Sequence, residues 1–431
     1  MSELKVSVII PVVREDRINE CLEAAKANHG LEDGEVEFIV ERDVDGIGCP
    51  KMVKKLVEKT NAPLVCFLGD DTIPQPGYLQ MALEAMKSLP DEWGVVGLND
   101  ETKRILPTHW VADKRMLPLI GGDFFYTGYK HLFCDNELFI RSSELKKYVH
   151  CPEAVVKHLH PLFCPDLNLQ DKFYDSVYNH KSRYLDRIKF FQRATNNWEF
   201  PDRKLGIVFP ITDSKVYKNF FLSFLTIDKP ERYVLVAPDF PINNANIDEV
   251  RNYLVQNAID GGCTHVLMMD TDQIYPEETI QKMWKHMDNG LRVVGGAVHR
   301  RYPPFDVIAF RGKPGRYKHV SDEEIYSGNL INVDATGAAC VMYDITIFAE
   351  VEPPWFWLGE DEKKKPIGED IAFCHSLREA GIPIYLDTSL EIGHITDFVV
   401  NRGAYEVFKL TNRFAWADPD DDGGDLVIRR K

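Results

Sequence analysis

One order of segments occurs twice along this chain. KVSVIIPVV, beginning at Lys5, and KLGIVFPIT, beginning at Lys204, are each a short β-branched run that reaches a proline. That is the pattern of a buried strand passing into a loop. A helical stretch and a second strand follow each time, Val36–Asp43 and Tyr233–Asp239, then a helix, Lys51–Lys59 and Asp248–Ile259. Both helices lead to a strand that ends in acid, Pro63–Asp71 and Thr264–Asp272. Beyond the acid come a proline and another helix, Pro76–Lys87 and Pro276–Met287, and a last strand-like run, WGVVGL at Trp93 and RVVGGAV at Arg292. Strands alternating with helices predict βαβ units and a mostly parallel sheet. An order repeated after roughly 200 residues predicts two α/β domains in tandem rather than one continuous sheet.

The length of 431 residues agrees with two cores. The expected boundaries are 1–162 for the first domain and 204–417 for the second. Between them, 163–203 contains KFYDSVYNHKSRYLDRIKFFQRA, whose apolar residues recur at helical spacing and predict a helical connector. The tail 418–431 is acidic and then basic and is expected to be exposed. No segment approaches the roughly 20 apolar residues of a membrane span. The N-terminus lacks a basic n-region and a cleavage site, so a cytoplasmic protein is expected. Nine scattered cysteines without a CxxC pair predict free thiols, mostly buried. A net charge of −16 argues against broad binding to nucleic acid or anionic membrane.

The chemistry is concentrated where strands end. In an open α/β sheet, ligands bind outside the carboxyl ends of the strands. Asp70 and Asp71 lie there in the first repeat, as Asp270 and Asp272 do in the second. Carboxylates so placed suit a hard divalent cation that bridges phosphate oxygens. A single acidic turn is more often a backbone cap; two at equivalent places favour the metal reading. A second constellation follows in each half, an acidic pair opening a helix, a short strand and a histidine. These are Asp135/Glu137 with His158, and Glu369/Asp370 with His394. Acids are favoured at a helix N-terminus in any case. The functional reading makes one acid a general base and the histidine a metal ligand.

Taken together, VSVIIPVVRE, FIVERD, FLGDDTIPQPGYL, DNELFIR and PEAVVKHLHP resemble glycosyltransferase family 2 and its relatives of the GT-A fold. GIVFPIT, VLVAPD, MMDTDQIYPEETI, ATGAACVMY, GEDIAFCHSLREAGIPIYLDTS and EIGHI repeat the resemblance, which covers nearly the whole chain in two copies. It implies that Pro11, Arg14 and Asp43, and Pro210 and Asp239 in the second copy, meet a nucleotide-sugar donor, a UDP-sugar by default. It also implies Mn2+ or Mg2+ on the acids and an acceptor hydroxyl deprotonated by the acid of the (E)D pair. Inversion is expected, because a base is present and no nucleophile stands beside it. The acceptor stays open among glycan, protein and modified nucleobase.

The second copy has the complete Asp270-Thr271-Asp272 and Gly368-Glu369-Asp370, so it is ranked as the catalytic unit. The first has Gly69 where many relatives carry an acid, and leaves the base ambiguous between Asp135 and Glu137. It is either a second transferase or a degenerate acceptor-binding domain. Arg300 and Arg301 are expected either at phosphate or in a solvated basic turn. Asp334 reads equally as an acceptor contact and as a turn acid. Trp357 is a candidate platform for an acceptor, whereas Trp355 and Phe356 lean towards the core. The GEDEKKK run after Leu358 reads as a mobile lid. Two other classes compete: a nucleotidyltransferase, for which no Gly-rich basic loop is present, and a binding scaffold of decayed transferase domains.

Overall fold

The structure is a computed structural model. It describes residues 3–102, 105–161, 164, 169, 172–211, 216–238, 246–360, 364, 366–396 and 399–412. Asp239, the tail 418–431 and most of the expected lid lie outside these residues. The chain divides into two compact units, Met1–Phe190 and Phe191–Lys431.

The first unit is a seven-stranded sheet flanked by helices. Its strands are β1 (Val6–Val12), β2 (Val36–Arg42), β3 (Leu64–Phe67), β4 (Thr72–Pro74), β5 (Val95–Asn99), β6 (Trp110–Asp113) and β7 (Tyr148–His158), in the order β2-β1-β3-β6-β5-β7-β4. Its helices are α1 (Ile18–Asn28), α2 (Cys49–Val57), α3 (Tyr78–Met86), α4 (Cys134–Glu144), α5 (Lys172–Tyr178) and α6 (His180–Ala194). The unit boundary falls inside α6. Val6, Val8 and Ile10 of β1 are fully buried against Leu79, Ala82 and Met86 of α3 and their neighbours. Burial of each large apolar side chain contributes about 1.5–3 kcal/mol.

The second unit repeats the plan. β8 (Leu205–Val208), β9 (Tyr233–Val236), β10 (His265–Met269), β11 (Gln273–Ile274), β12 (Val293–Val298), β13 (Cys340–Asp344) and β14 (Ile384–Ile395) run in the order β9-β8-β10-β13-β12-β14-β11. Helices α7 (Lys218–Thr226), α8 (Ile247–Asp260), α9 (Thr279–Asp288) and α10 (Glu369–Glu379) occupy the places of α1 to α4. Along these seven strands every pairing has its counterpart, and two further short strands, Leu330–Val333 and Val399–Val400, add to β14 in what is a nine-stranded sheet. β1 is parallel to β2 and β3, as β8 is to β9 and β10. β6 is antiparallel to β3 and β5, as β13 is to β10 and β12. β7 and β14 run parallel to β5 and β12 and then pair antiparallel with β4 and β11. Each sheet is therefore α/β but mixed, with the strands predicted by the repeat on its parallel side. The antiparallel strand β6 is four residues long and falls outside the repeated order of segments.

The repeat extends to irregularities. Between β5 and β7 the register passes from Leu98↔Cys151 to Asn99↔Val155. Between β12 and β14 it passes from Gly296↔Asp387 to Ala297↔Glu391. In both units the last long strand makes an excursion at the same place, which re-aims its end.

All nine cysteines are unpaired, and all but Cys49 and Cys164 are buried. Among the described residues no helix is long and apolar enough to cross a membrane.

A buried carboxylate ties α6 to the loop before α4. Asp186 is 2 % exposed and accepts the N–H groups of Lys130, His131 and Leu132 at 2.9, 3.0 and 3.0 Å. Asp186→Ala would leave these donors without an acceptor, and is expected to cost about 3 kcal/mol in the first unit's stability. Urea unfolding checks this; an unchanged midpoint would show that water satisfies the loop equally well.

Candidate active sites

Sheet register sets an acid beside a histidine in both units. Thr72 pairs with His158 and Gln273 with His394. The preceding acids are fixed by matching backbone bonds, Leu159 N to Asp71 O at 2.9 Å and Ile395 N to Asp272 O at 2.7 Å. The side chains then face each other, Asp71 Oδ1 lying 3.6 Å from His158 Nε2 and Asp272 Oδ2 3.3 Å from His394 Nε2. Asp71 is thus the counterpart of Asp272, and Gly69 that of Asp270.

The helix-start acids correspond as well. α4 and α10 are each 11 residues long. The second residue of each accepts the next backbone N–H, Asp135 from Asn136 at 2.9 Å and Asp370 from Ile371 at 2.8 Å. Glu137 instead turns inward, 4 % exposed, and meets the Tyr129 hydroxyl at 2.7 Å and Arg141 Nη1 at 3.1 Å.

In the first unit Pro11, Arg14, Asp43, Asp70, Asp71, Asp135 and His158 line one and the same pocket. Glu137 is not among its lining residues. Arg14 lies across the two acids, its Nη1 3.0 Å from Asp70 Oδ1 and 3.2 Å from Asp71 Oδ2, with its guanidinium 4.9 Å from the Phe173 ring centre. Asp70 Oδ2 also accepts the Val13 and Arg14 N–H groups, each at 2.6 Å. Asp70 therefore clamps the loop after β1, while Asp71 faces the imidazoles. Burial and the neighbouring Asp71 raise Asp70 above the usual carboxylate range, against the pull of its hydrogen bonds and Arg14. Burial works on Asp71 in the same direction, but His158, Arg14 and His109 overcome it and hold Asp71 well below that range. Asp43 accepts Ile47 N at 2.8 Å and Gly48 N at 2.9 Å on separate oxygens, which fixes the turn leading to α2.

Five further lining residues were not anticipated: His109, His131, His160, Phe173 and Tyr178. His109 precedes the unrecognised strand β6, and Phe173 and Tyr178 belong to α5, in the segment expected to be a connector. Tyr178 OH lies 3.0 Å from His160 Nε2. Burial, then the charge of His158, pushes His109 down to about 3, and burial pushes His131 down to about 4. Both imidazoles are neutral at physiological pH.

In the second unit an arginine from α8 joins the two acidic segments. Arg251, 3 % exposed, reaches both oxygens of Asp270 at 2.9 and 3.1 Å and Glu369 Oε1 at 3.3 Å. Arg301 pairs with Asp272 and donates to His394 Nε2 at 3.1 Å, whereas Arg300 turns to Asp306 at 3.1 Å. Burial lowers His394, and Arg301 adds to this. Burial and then Glu369 push Asp370 up to about 7. Pro210 is buried just beyond β8. Asp334 accepts Arg378 Nε at 2.9 Å and the Gly312 N–H at 2.5 Å, as a turn acid does. Trp355 and Phe356 are core, with Trp355 Nε1 donating to the carbonyls of Phe348 and Val351 at 3.0 Å, while Trp357 is exposed.

No family model matches the sequence, and no curated protein matches it either. Solved structures are similar in part. A197 from STIV is 15% identical, with 53% of this chain and 98% of that chain covered and a TM-score of 0.34. The mannosyltransferase PcManGT from Pyrobaculum calidifontis, solved with GDP-Man and Mn2+, is 13% identical, with 46% and 66% covered and a TM-score of 0.33. Glucosyl-3-phosphoglycerate synthase from Mycobacterium tuberculosis, solved with Mn2+, UDP-glucose and phosphoglyceric acid, is 13% identical, with 46% and 81% covered and a TM-score of 0.32.

Two outcomes follow from this geometry. A Cβ at Gly69 would lie 2.8 Å from Asp71 Oδ1 and 3.3 Å from His109 Nε2. Gly69→Ala is expected to displace Asp71 and cost about 1–3 kcal/mol, read as a lower Tm; an unchanged Tm would mean that the acid yields freely. Asp370 in an unfolded chain releases its proton near 3.8, but in the folded chain only near 7. The folded state therefore loses stability as pH rises between these values. Asp370→Asn should raise Tm at pH 8 and leave it unchanged below pH 3.8; equal melting at pH 8 would contradict the strained carboxylate.

Proposed function

We propose that this chain is a metal-dependent glycosyltransferase that moves a sugar from a nucleotide-sugar donor to an acceptor hydroxyl with inversion. The observation that carries the reading is the first unit's pocket, which gathers Pro11, Arg14, Asp43, Asp70, Asp71, Asp135 and His158 around one space. In this reading the donor occupies the first unit, although the intact motifs of the second rank that copy ahead by sequence.

Each residue has a role it is chemically fit for. Asp43 shapes the base-binding turn and keeps further lone pairs for nucleobase N–H groups. Arg14 can leave the acids and meet phosphate oxygens, for which a guanidinium is suited. Asp135, at the start of α4, receives the acceptor proton. The Asp71 carboxylate and the His158 imidazole form a mixed oxygen and nitrogen donor set, which fits Mn2+ better than Mg2+. A divalent ion there would neutralise the departing nucleoside diphosphate.

The second unit supports a rival placement of the chemistry. Its Asp370, raised to about 7, is poised as a general base near neutral pH. Asp270, Asp272 and His394 would then hold the metal, and Arg301 would meet the diphosphate.

Donor hydrolysis across nucleotide sugars with Mn2+ or Mg2+ tests both, comparing the intact protein with Asp71→Asn and Asp272→Asn. Loss of turnover by about 100-fold or more in Asp71→Asn alone is expected. Loss in Asp272→Asn alone moves the chemistry to the second unit. If no donor binds with any metal, the transferase reading fails.

A further inference from the structure

A second group of side chains with the chemistry of metal ligands stands beside the acids of the first unit and shares His158 with them. One ring nitrogen of His109, one of His158 and a carboxylate oxygen of Asp100 all lie within 4.8 Å of one another. Asp100 and His109 are 4 % and 3 % exposed. The two imidazoles meet edge to face with ring centres 4.8 Å apart, and His109 stacks on Phe67 at 6.0 Å. Among the described residues the Nδ1 atoms of both histidines are buried and meet no hydrogen-bond partner. A buried polar atom left without a partner costs about 1–3 kcal/mol. Two of them, on imidazoles grouped with a buried carboxylate, form an arrangement that a cation would relieve.

We propose that Asp100, His109 and His158 bind a transition-metal dication of the zinc type. Two imidazoles and one carboxylate select such ions over Mg2+, which prefers an all-oxygen shell. Asp100 is oriented by the hydroxyls of Thr102 and Thr108, both at 2.6 Å, and by Thr102 N at 3.0 Å. Hydrogen bonds of this kind fix the direction of a ligating carboxylate. A tetrahedral zinc site places its ligand atoms about 3.3 Å apart, so side-chain rotations of about 1 Å close the present spacing. Three protein ligands leave one position free, and His109 and His158 both line the pocket. The free position thus opens to water or to a phosphate oxygen. Among the described residues no second cluster of this kind occurs. The site shares His158 with the Asp71–His158 pair of the transferase reading, so the two ions would compete for one imidazole, but its ligands would bind the ion without any donor.

The test is titration of the metal-stripped chain with Co2+, followed by its visible d–d bands, with Zn2+ as competitor. One equivalent should bind with four-coordinate bands and be displaced by Zn2+. His109→Gln and Asp100→Asn should each weaken binding by about 100-fold, while Asp70→Asn leaves it unchanged. Circular dichroism melts establish that the variants fold. X-ray absorption of the Zn2+-loaded parent supplies a readout that needs no variant, with outer-shell scattering from two imidazoles expected. A thiolate charge-transfer band, absence of imidazole scattering, or loss of binding in Asp70→Asn but not in His109→Gln would each overturn the proposal. None of these readouts uses a nucleotide sugar, so failure here is distinct from failure of the transferase reading.

Discussion

The backbone bond from Leu159 N to Asp71 O, repeated as Ile395 N to Asp272 O, carries more of this architecture than its length suggests. It closes a short antiparallel strand onto the end of a long one. That closure delivers an acid and a histidine to the same point from residues far apart in the chain. A slip of one residue in this pairing would send the histidine to the other face of the sheet. The excursions after Cys151 and Asp387 let one strand satisfy two demands, running parallel to a central strand and then turning to meet the edge.

Holding ionised acids at such a point is costly, and the two units meet the cost differently. The first spreads one arginine over two adjacent carboxylates and leaves them unequal, with Asp70 raised and Asp71 lowered. The second gives each acid its own arginine, Arg251 for Asp270 and Arg301 for Asp272. Where Gly69 replaces the first acid, the space is taken by Asp71 and His109, so glycine there accompanies a different packing of the same frame.

Much of this was legible in the sequence. The repeated strands, the acids at their ends and the histidines downstream were read from apolar runs and turn residues, and the parallel half of each sheet follows from them. The antiparallel half was less visible, because neither β6 nor β4 falls in the repeated order of strands and helices. His109 escaped notice for the same reason, since only its place before β6 makes it a neighbour of Asp71. The choice between Asp135 and Glu137 turned on helix phase: two residues apart, they point in different directions, one to the pocket and one to Tyr129 and Arg141. Phe173 and Tyr178 lay in an aromatic segment whose helical period was clear but whose destination depends on tertiary contact alone.

The arginines that guard the acids are attached to different parts of the frame. Arg14 stands on the loop after the first strand, and Arg301 on the loop that follows β12. The counter-charge of the acid is thus tied to the loop after the first strand in one unit and to the loop after β12 in the other. One strand order occurs in two units whose acids are neutralised from different loops, so the frame is common to both while the residue that balances the charge is not.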